Sequence, residues 1–100
     1  MSVQNNSIWE SLESEVLLEE HHSEVAELIV YNDDVNTFEW VIECFIKVCQ
    51  HSFEQAEQLS YIVHFKGRAS VKVGTMATLR PMKDSLCEKG LSAVIETVKV

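Results

Sequence analysis

Leu28-Ile29-Val30-Tyr31-Asn32-Asp33-Asp34 decides the fold, because an apolar run ends abruptly there in one amide and two carboxylates. Consecutive apolar and aromatic residues, most of them favoured in strands, predict a buried strand. Asn-Asp-Asp is turn chemistry that ends such a strand. Polar loops at the exit of a strand often have a function. From these residues alone, however, an Asx-type turn without any binding role is the more frequent explanation.

The residues after this turn predict a helix that extends to about Cys49. Asn36 is a good N-cap, and Glu39 three residues later completes a capping-box pattern. Apolar residues recur on one broad face of this helix, at Phe38, Val41, Ile42, Phe45, Val48 and Cys49. An apolar face of this width indicates a helix that packs against the core.

Ser52 and Gln55 repeat the capping-box pattern and begin a second helix, for which Gly67 is a natural C-cap. Four apolar residues of this helix are expected to face the core: Ala56, Leu59, Ile62 and Val63. Because the link between the two helices is short, the exit of the first strand is expected to lie close to the end of the second helix. This arrangement would bring residues 32–34 near His64.

The rest of the chain predicts a strand, a third helix and a last strand. Residues 69–73 alternate with period two, as a half-buried strand does. Thr78 is preferred over Thr75 as the N-cap of the third helix, because Pro81 then falls in the first turn. Residues 91–97 form the last strand. The order β-α-α-β-α-β predicts an α+β fold, a small sandwich of a three-stranded antiparallel sheet and three helices.

Charge and length divide the chain into two parts. At 100 residues it is one domain at most. Residues 1–24 contain six glutamates and no lysine or arginine, which predicts an acidic, flexible extension before a core domain at residues 25–100. Ile8, Leu12 and Val16 recur at helical spacing in the extension. They form one apolar stripe that a partner, or the domain's own surface, could order.

Composition excludes several classes of function. The net charge of −8 argues against a nucleic-acid surface. No run approaches the roughly 18 apolar residues of a membrane span, and the N-terminus lacks the basic segment of a signal peptide, so we expect a cytoplasmic location. Cys44, Cys49 and Cys87 match neither a disulfide framework nor a zinc site. Buried, reduced thiols are therefore expected, with no cofactor.

Two other functions compete for the polar residues near the turn. Asp33, Asp34 and His64 could serve a small metal-dependent hydrolase, but such a site needs further ligands and a base that the spacing does not offer. A generic protein-interaction domain of similar fold, like the C-terminal domain of the ribosomal stalk protein, would bind peptides without needing a free N-terminus. His64 alone is also typical of a histidine favoured by the dipole at a helix C-terminus.

Three stretches together resemble the ClpS family, adaptors of the Clp ATP-dependent proteases. They are Leu28 to Asp34, Phe38-Glu39-Trp40-Val41-Ile42 and Val63-His64-Phe65-Lys66-Gly67-Arg68-Ala69. The likeness covers roughly residues 26–97 and includes the element order and the N-terminal extension. It implies an adaptor, not an enzyme, that binds a free N-terminal Leu, Phe, Tyr or Trp of N-degron substrate proteins. The adaptor would deliver them to a Clp AAA+ unfoldase of the ClpA or ClpC type, and we expect it to be a monomer.

The same resemblance implies the residues of the binding site. Asn32, Asp33, Asp34 and His64 would bind the α-amino group. A protonated amino group has only N–H donors to offer, so its receptor must supply acceptors, here the Asn32 oxygen, the Asp34 carboxylate and a neutral His64 nitrogen. The first side chain would enter a pocket lined by Val30, Tyr31, Asn36, Phe38, Val41, Ser60, Val63 and Leu91.

Several positions depart from the family's usual pattern. Phe38 occupies a position where the family often has a gating Met. Ser60 occupies the position of another Met of the pocket, and Asn36 occupies the position of a Thr that usually precedes the gate. Phe38 would fill part of the pocket and Ser60 would leave more room in it, so we expect the shape of the pocket to change more than its total volume. On the third helix, Ala77 and Met82 stand where some members have charged residues that contact the unfoldase.

Overall fold

The computed structural model describes residues 25–97. Its elements are β1 (Ala26–Tyr31), α1 (Phe38–Cys49), α2 (Phe53–Lys66), β2 (Arg68–Gly74), α3 (Met76–Glu88) and β3 (Ser92–Thr97). The predicted order β-α-α-β-α-β is confirmed, and the boundaries lie within a residue or two of those expected except at the start of α3, which begins three residues earlier. The acidic extension and its apolar stripe lie outside the described residues.

β1 is the central strand of an antiparallel sheet with the order β2-β1-β3. Its last residue, Tyr31, pairs with Arg68 on β2 and with Ser92 on β3. Ala26, Leu28, Ile29 and Val30 are all at most 1% exposed. Because Ile29 is buried on the face opposite to that of Leu28 and Val30, residues 28–31 form a continuous apolar run and do not alternate.

β1 and β2 are joined through a β-bulge. Leu28 pairs with Lys72 while Ile29 pairs with Ser70, so β2 has one extra residue, Val71, at this point. The Val71 carbonyl accepts a hydrogen bond from His51 Nε2 at 2.6 Å. The bulge, Lys72 and this histidine all interrupt an edge strand that would otherwise offer a regular row of unpaired backbone groups.

The three helices cover one face of the sheet. Phe45 of α1 and Leu79 and Leu86 of α3 are fully buried in the core between the layers. On α2 the buried residues are Ala56, Ser60 and Val63. They lie at i, i+4 and i+7, one face of a helix.

The predicted core face of α2 is therefore partly wrong. Leu59 packs against the core while only partly buried, but Ile62 is 36% exposed and Ser60 takes an interior position. The face that meets the sheet is rotated toward Ser60, and Tyr61 on another face of α2 lies against Phe38 of α1.

Two predicted N-caps are also wrong. The cap of α1 is Thr37 and not Asn36, since Thr37 Oγ1 accepts a hydrogen bond from Trp40 N at 3.1 Å. The cap of α3 is Thr75 and not Thr78, since Thr75 Oγ1 accepts from Thr78 N at 3.3 Å. In both cases the capping threonine has the extended backbone that an N-cap needs.

Pro81 consequently lies inside α3 and not in its first turn. The two capping signals predicted for α2, at its beginning and at its end, are both confirmed. Ser52 and Gln55 form a complete capping box, and Gly67 ends the helix with a φ of +90°. A residue with a side chain would be strained at this angle, which explains the glycine.

The cysteines differ in their surroundings. Cys44 and Cys49 are buried, as expected, but Cys87 is exposed. Desolvation raises the pKa of the Cys49 thiol to about 11, so this thiol is protonated and unreactive at neutral pH. Cys87 lies near the end of α3, where its thiol contacts the Ala93 carbonyl at 3.4 Å.

Within residues 25–97, none of the helices combines the length and the apolar character needed to cross a bilayer.

Candidate functional site

A cleft of about 480 Å³ lies between the β1–α1 loop and α2. The loop contributes polar residues to one side, and α2 contributes aromatic and apolar residues to the other. Its walls are formed by Asn32, Asp33, Asp34, Asn36, Phe38, Val41, Ser60, Tyr61, Val63, His64 and Phe65. Its size is in the range of small-molecule and peptide side-chain pockets.

The structure brings most of the predicted site residues together around this one cleft. Nine of the twelve line it directly. The other three, Val30, Tyr31 and Leu91, line a small space of about 20 Å³ that shares Asn32 and Val41 with the cleft. The binding roles of all twelve residues stay a prediction.

Tyr31 is the predicted residue whose side chain is engaged elsewhere. Its hydroxyl donates to Glu96 Oε2 at 3.3 Å, and the Arg68 guanidinium lies over its ring at 5.3 Å. Arg68 and Glu96 come from the strands on either side of β1 and form an ion pair at 3.0 Å. By the register this pair crosses β1 near Ile29, on the sheet face away from the helices, which explains how Ile29 is buried without joining the helix-side core.

Asp33 organises the loop. Its Oδ1 accepts hydrogen bonds from the backbone N–H groups of Val35 and Asn36, both at 2.8 Å. Its Oδ2 accepts from Asn36 Nδ2 at 2.8 Å. The Asx-type turn that the sequence suggested is therefore present, and it uses one carboxylate while Asn32 and Asp34 stay exposed beside it.

These hydrogen bonds, led by that from the Asn36 backbone N–H, hold the pKa of Asp33 below its ordinary value of 3.8. Because the folded state prefers the ionised carboxylate, the turn's contribution to stability is present above about pH 4 and is lost as pH falls through the lowered pKa. Asp33→Asn should therefore be less stable than the parent chain near pH 7, and the difference should shrink near pH 3. Urea unfolding of both chains at the two pH values measures this, and an equal difference at both would contradict it.

Asn36 connects the loop to the far end of α3. Its Nδ2 also donates to the Gly90 carbonyl at 2.9 Å, and Trp40 Nε1 donates to the neighbouring Lys89 carbonyl at 3.0 Å. Both carbonyls follow the last turn of α3, where helix carbonyl groups lack partners within the helix. The wall of the cleft is thus held against a rigid element, as a preformed binding site requires.

A backbone hydrogen bond places Asn32 beside His64. The Asn32 N–H donates to the Gly67 carbonyl at 2.9 Å, which joins the end of β1 to the C-cap of α2. His64 lies in the last turn of α2. Among the described residues, no hydrogen bond engages the side chains of Asn32, Asp34 or His64. Three acceptor side chains therefore remain available at the rim of the cleft.

The floor of the cleft is apolar. Val63 is buried and Val41 is half-buried. Ser60 is 2% exposed, and its hydroxyl donates to the Ala56 carbonyl of its own helix at 2.8 Å. Because that donor is satisfied within α2, Ser60 gives the floor extra room without an unpaired polar group.

Two residues of the cleft were not predicted from the sequence, Tyr61 and Phe65. The ring of Tyr61 lies 4.7 Å from that of Phe38 and 5.9 Å from that of Phe65. The Phe65 ring also meets His64 edge-on at 4.9 Å. Helical spacing could have indicated both residues, since Tyr61 lies three residues before the predicted His64 and Phe65 lies four residues after Tyr61.

The chemistry of this arrangement is that of a receptor for a cation next to an apolar group. Uncharged and anionic acceptors line one side, and an apolar hollow lies directly beside them. Among residues 25–97, no three His, Cys, Asp or Glu side chains gather as ligands for a metal ion. The acceptors suit an ammonium group, which has several N–H donors and a single positive charge.

Comparisons with known proteins agree with the fold. Residues 21–94 match the family model of the ATP-dependent Clp protease adaptor protein ClpS. The ATP-dependent Clp protease adapter protein ClpS of Thermosynechococcus vestitus is 35% identical over 66 residues, which cover 65% of this chain and 70% of the relative. The structure of Agrobacterium tumefaciens ClpS2 bound to L-phenylalaninamide is similar with a TM-score of 0.66 and 20% identity, covering 77% of this chain and all of that one.

Proposed function

The chain belongs to the ClpS family of adaptor proteins of the ATP-dependent Clp protease, and we propose that its cleft binds the free N-terminal residue of N-degron substrates. The first residue would be Leu, Phe, Tyr or Trp. The chain acts as a binding module without chemistry of its own. It delivers the bound substrate to a Clp AAA+ unfoldase of the ClpA or ClpC type.

One observation supports this proposal most: the side chains of Asn32, Asp34 and His64 line the same cleft as an apolar hollow. The three polar side chains would accept hydrogen bonds from the α-amino group, while the first side chain fills the hollow above Val41 and Val63. The similar Agrobacterium tumefaciens ClpS2 binds L-phenylalaninamide, which has a free α-amino group and an aromatic side chain. That ligand has the two features that this cleft suits.

Asp33 would act as a positioning residue. Both of its oxygens accept hydrogen bonds within the loop, so its negative charge favours a nearby ammonium without a direct contact. Asn36 would shape the pocket in the same indirect way, since its amide is held by Asp33 and by the Gly90 carbonyl. Asn32, Asp34 and His64 would then provide the direct contacts.

The expected affinity suits a protein that must release its cargo. Charge-assisted hydrogen bonds contribute about 1.5–3 kcal/mol each, and burial of a Leu or Phe side chain contributes about 1.5–3 kcal/mol. Association itself costs at least about 4 kcal/mol, so binding is expected around the micromolar range. The proposal includes a monomer in the cytoplasm, where the three free cysteines would stay reduced.

Acetylation of the peptide's α-amino group tests the proposal directly. A peptide that begins with Phe should bind, and its acetylated form should bind at least about a hundredfold more weakly, because the acetyl group removes the charge and most of the donors. Fluorescence anisotropy with C-terminally labelled peptides measures both affinities. Peptides that begin with Leu, Trp, Ile and Met complete the series and rank the first residue.

The control peptide begins with Ser and keeps the rest of the sequence, so it has the ammonium group without the large side chain. Its binding should be much weaker than that of the Phe peptide. Equal affinity of free and acetylated Phe peptides would overturn the proposal and favour a generic peptide-binding domain instead.

A further inference from the structure

We propose that Tyr61 and Phe65 form a second subsite, which binds an aromatic side chain at the third residue of the substrate. This inference rests on the proposed function, because the bound N-terminal residue sets the direction of the peptide. The two residues and Phe38, which precedes them in the row of rings, are called the aromatic shelf below.

The cleft has more room than one side chain needs. Its volume of about 480 Å³ includes the floor at Val41, Ser60 and Val63 and also the space beside Tyr61 and Phe65. A first side chain that fills the floor leaves the outer part unoccupied. The outer part is bordered by the shelf, so whatever follows the first residue meets aromatic surface.

The two outer residues of the shelf, Tyr61 and Phe65, are unusually exposed for aromatic residues. Phe65 is 74% exposed and Tyr61 is 47% exposed. Among the large apolar residues of the described chain, only Val35 is more exposed than Phe65, and Val35 does not line the cleft. Exposed apolar surface that is gathered around a pocket, and not scattered singly, indicates contact with a partner.

The spacing of the rings fits the third residue. In an extended peptide, successive side chains point to opposite sides, so the first and third point the same way and lie about 6.6 Å apart. The shelf rings follow one another at 4.7 Å from Phe38 to Tyr61 and at 5.9 Å from Tyr61 to Phe65. With the first side chain beside Phe38, the third reaches the outer rings. The second side chain points away from the shelf.

The orientation of the rings favours an aromatic partner. Tyr61 and Phe65 are nearly parallel, with an interplanar angle of 13°, and Phe65 also meets the His64 ring edge-on. A flat side chain can extend this stack and cover the exposed face of Phe65. Aromatic pairs of this kind gain affinity beyond the apolar area that they bury.

Three labelled peptides test the subsite, beginning Phe-Ala-Ala, Phe-Ala-Phe and Phe-Phe-Ala with identical tails. In the parent chain, Phe at the third position should raise affinity about three- to tenfold over Phe-Ala-Ala, and Phe at the second position should raise it less than about twofold. In Phe65→Ala, the gain from the third position should fall below about twofold. Phe65 is exposed, so this substitution leaves the core intact.

Phe53→Ala is the matched control, since Phe53 is another exposed phenylalanine, 53% exposed, at the opposite end of α2. It lies about 18 Å along the helix from Phe65 and should keep the full gain. Equal affinities of Phe-Ala-Ala and Phe-Ala-Phe in the parent chain would overturn the subsite while leaving the proposed function intact. A gain that survives in Phe65→Ala, or that comes from the second position instead, would also overturn it. If no peptide binds, the proposed function fails and the subsite fails with it.

Discussion

His64→Ala is expected to weaken binding of a Phe-initial peptide by about ten- to a hundredfold, because it removes one acceptor of a charge-assisted hydrogen bond to the α-amino group. Asn32→Ala should have an effect of similar size for the same reason. Neither side chain is hydrogen-bonded to other described residues, and both residues are exposed. The loss should therefore appear in peptide affinity and not in the free energy of unfolding.

Ser70→Ala is the control for both substitutions. Ser70 is exposed on β2 and does not line the cleft, so its loss should leave peptide affinity within about twofold. The measurement is fluorescence anisotropy, together with urea unfolding of every variant. If His64→Ala and Asn32→Ala both bind the peptide like Ser70→Ala, the acceptors assigned to the α-amino group are wrong.

The largest effect on stability is expected for Phe45→Ala. Phe45 is completely buried on α1, in the core between the helices and the sheet. Truncation of a buried phenylalanine costs about 3–5 kcal/mol, because it removes buried apolar surface and leaves a cavity. Domains are typically stable by only about 5–15 kcal/mol, so the variant should retain little of its stability.

Urea unfolding followed by circular dichroism measures this loss. Phe53→Ala removes the same atoms from a largely exposed position and should change the free energy of unfolding by less than about 0.5 kcal/mol. Phe45→Leu keeps most of the volume and should cost about 1–3 kcal/mol, which gives a value even if Phe45→Ala does not fold. Similar losses for Phe45→Ala and Phe53→Ala would contradict the placement of Phe45 in the core.

The family resemblance predicts a pocket that Ser60 and Phe38 reshape. Ser60 gives room at the floor, and its hydroxyl is satisfied by the Ala56 carbonyl. Phe38 lines the cleft, and its ring lies against that of Tyr61. We therefore expect more room at the floor and less beside Phe38, and a side chain that is long and flat should fit this shape best. The peptide series that ranks the first residue measures the consequence.

Asn36 shows where local rules fail. Its type and its distance from Glu39 both favour an N-cap, yet the capping residue is Thr37. Asn36 instead holds Asp33 and reaches the Gly90 carbonyl across the fold. Asn and Thr are both good N-caps. Asn36 is engaged by the Gly90 carbonyl after the end of α3, and Thr37 is the residue that caps α1. The residues near Asn36 in the sequence do not predict this contact, because Gly90 lies 54 residues away in the chain.

The sequence by itself determined the type and order of the elements, the burial of the first strand and the residues of its polar exit. Those features depend on periodicity, turn chemistry and capping, which act between residues close together in the chain. The short link between the two predicted helices also placed residues 32–34 near His64, and the resemblance to a family gave Asn32, Asp34 and His64 a shared binding role.

Only the tertiary structure decided how these elements meet. The Asn32 N–H bond to the Gly67 carbonyl brings the end of β1 to the C-cap of α2, and packing of α1 on α2 turns Tyr61 and Phe65 toward the cleft. Helical periodicity shows which residues share a face, but it does not show which face meets the sheet. Which face of the helix meets the sheet depends on how side chains from distant parts of the chain pack together, because each side chain is buried by several others.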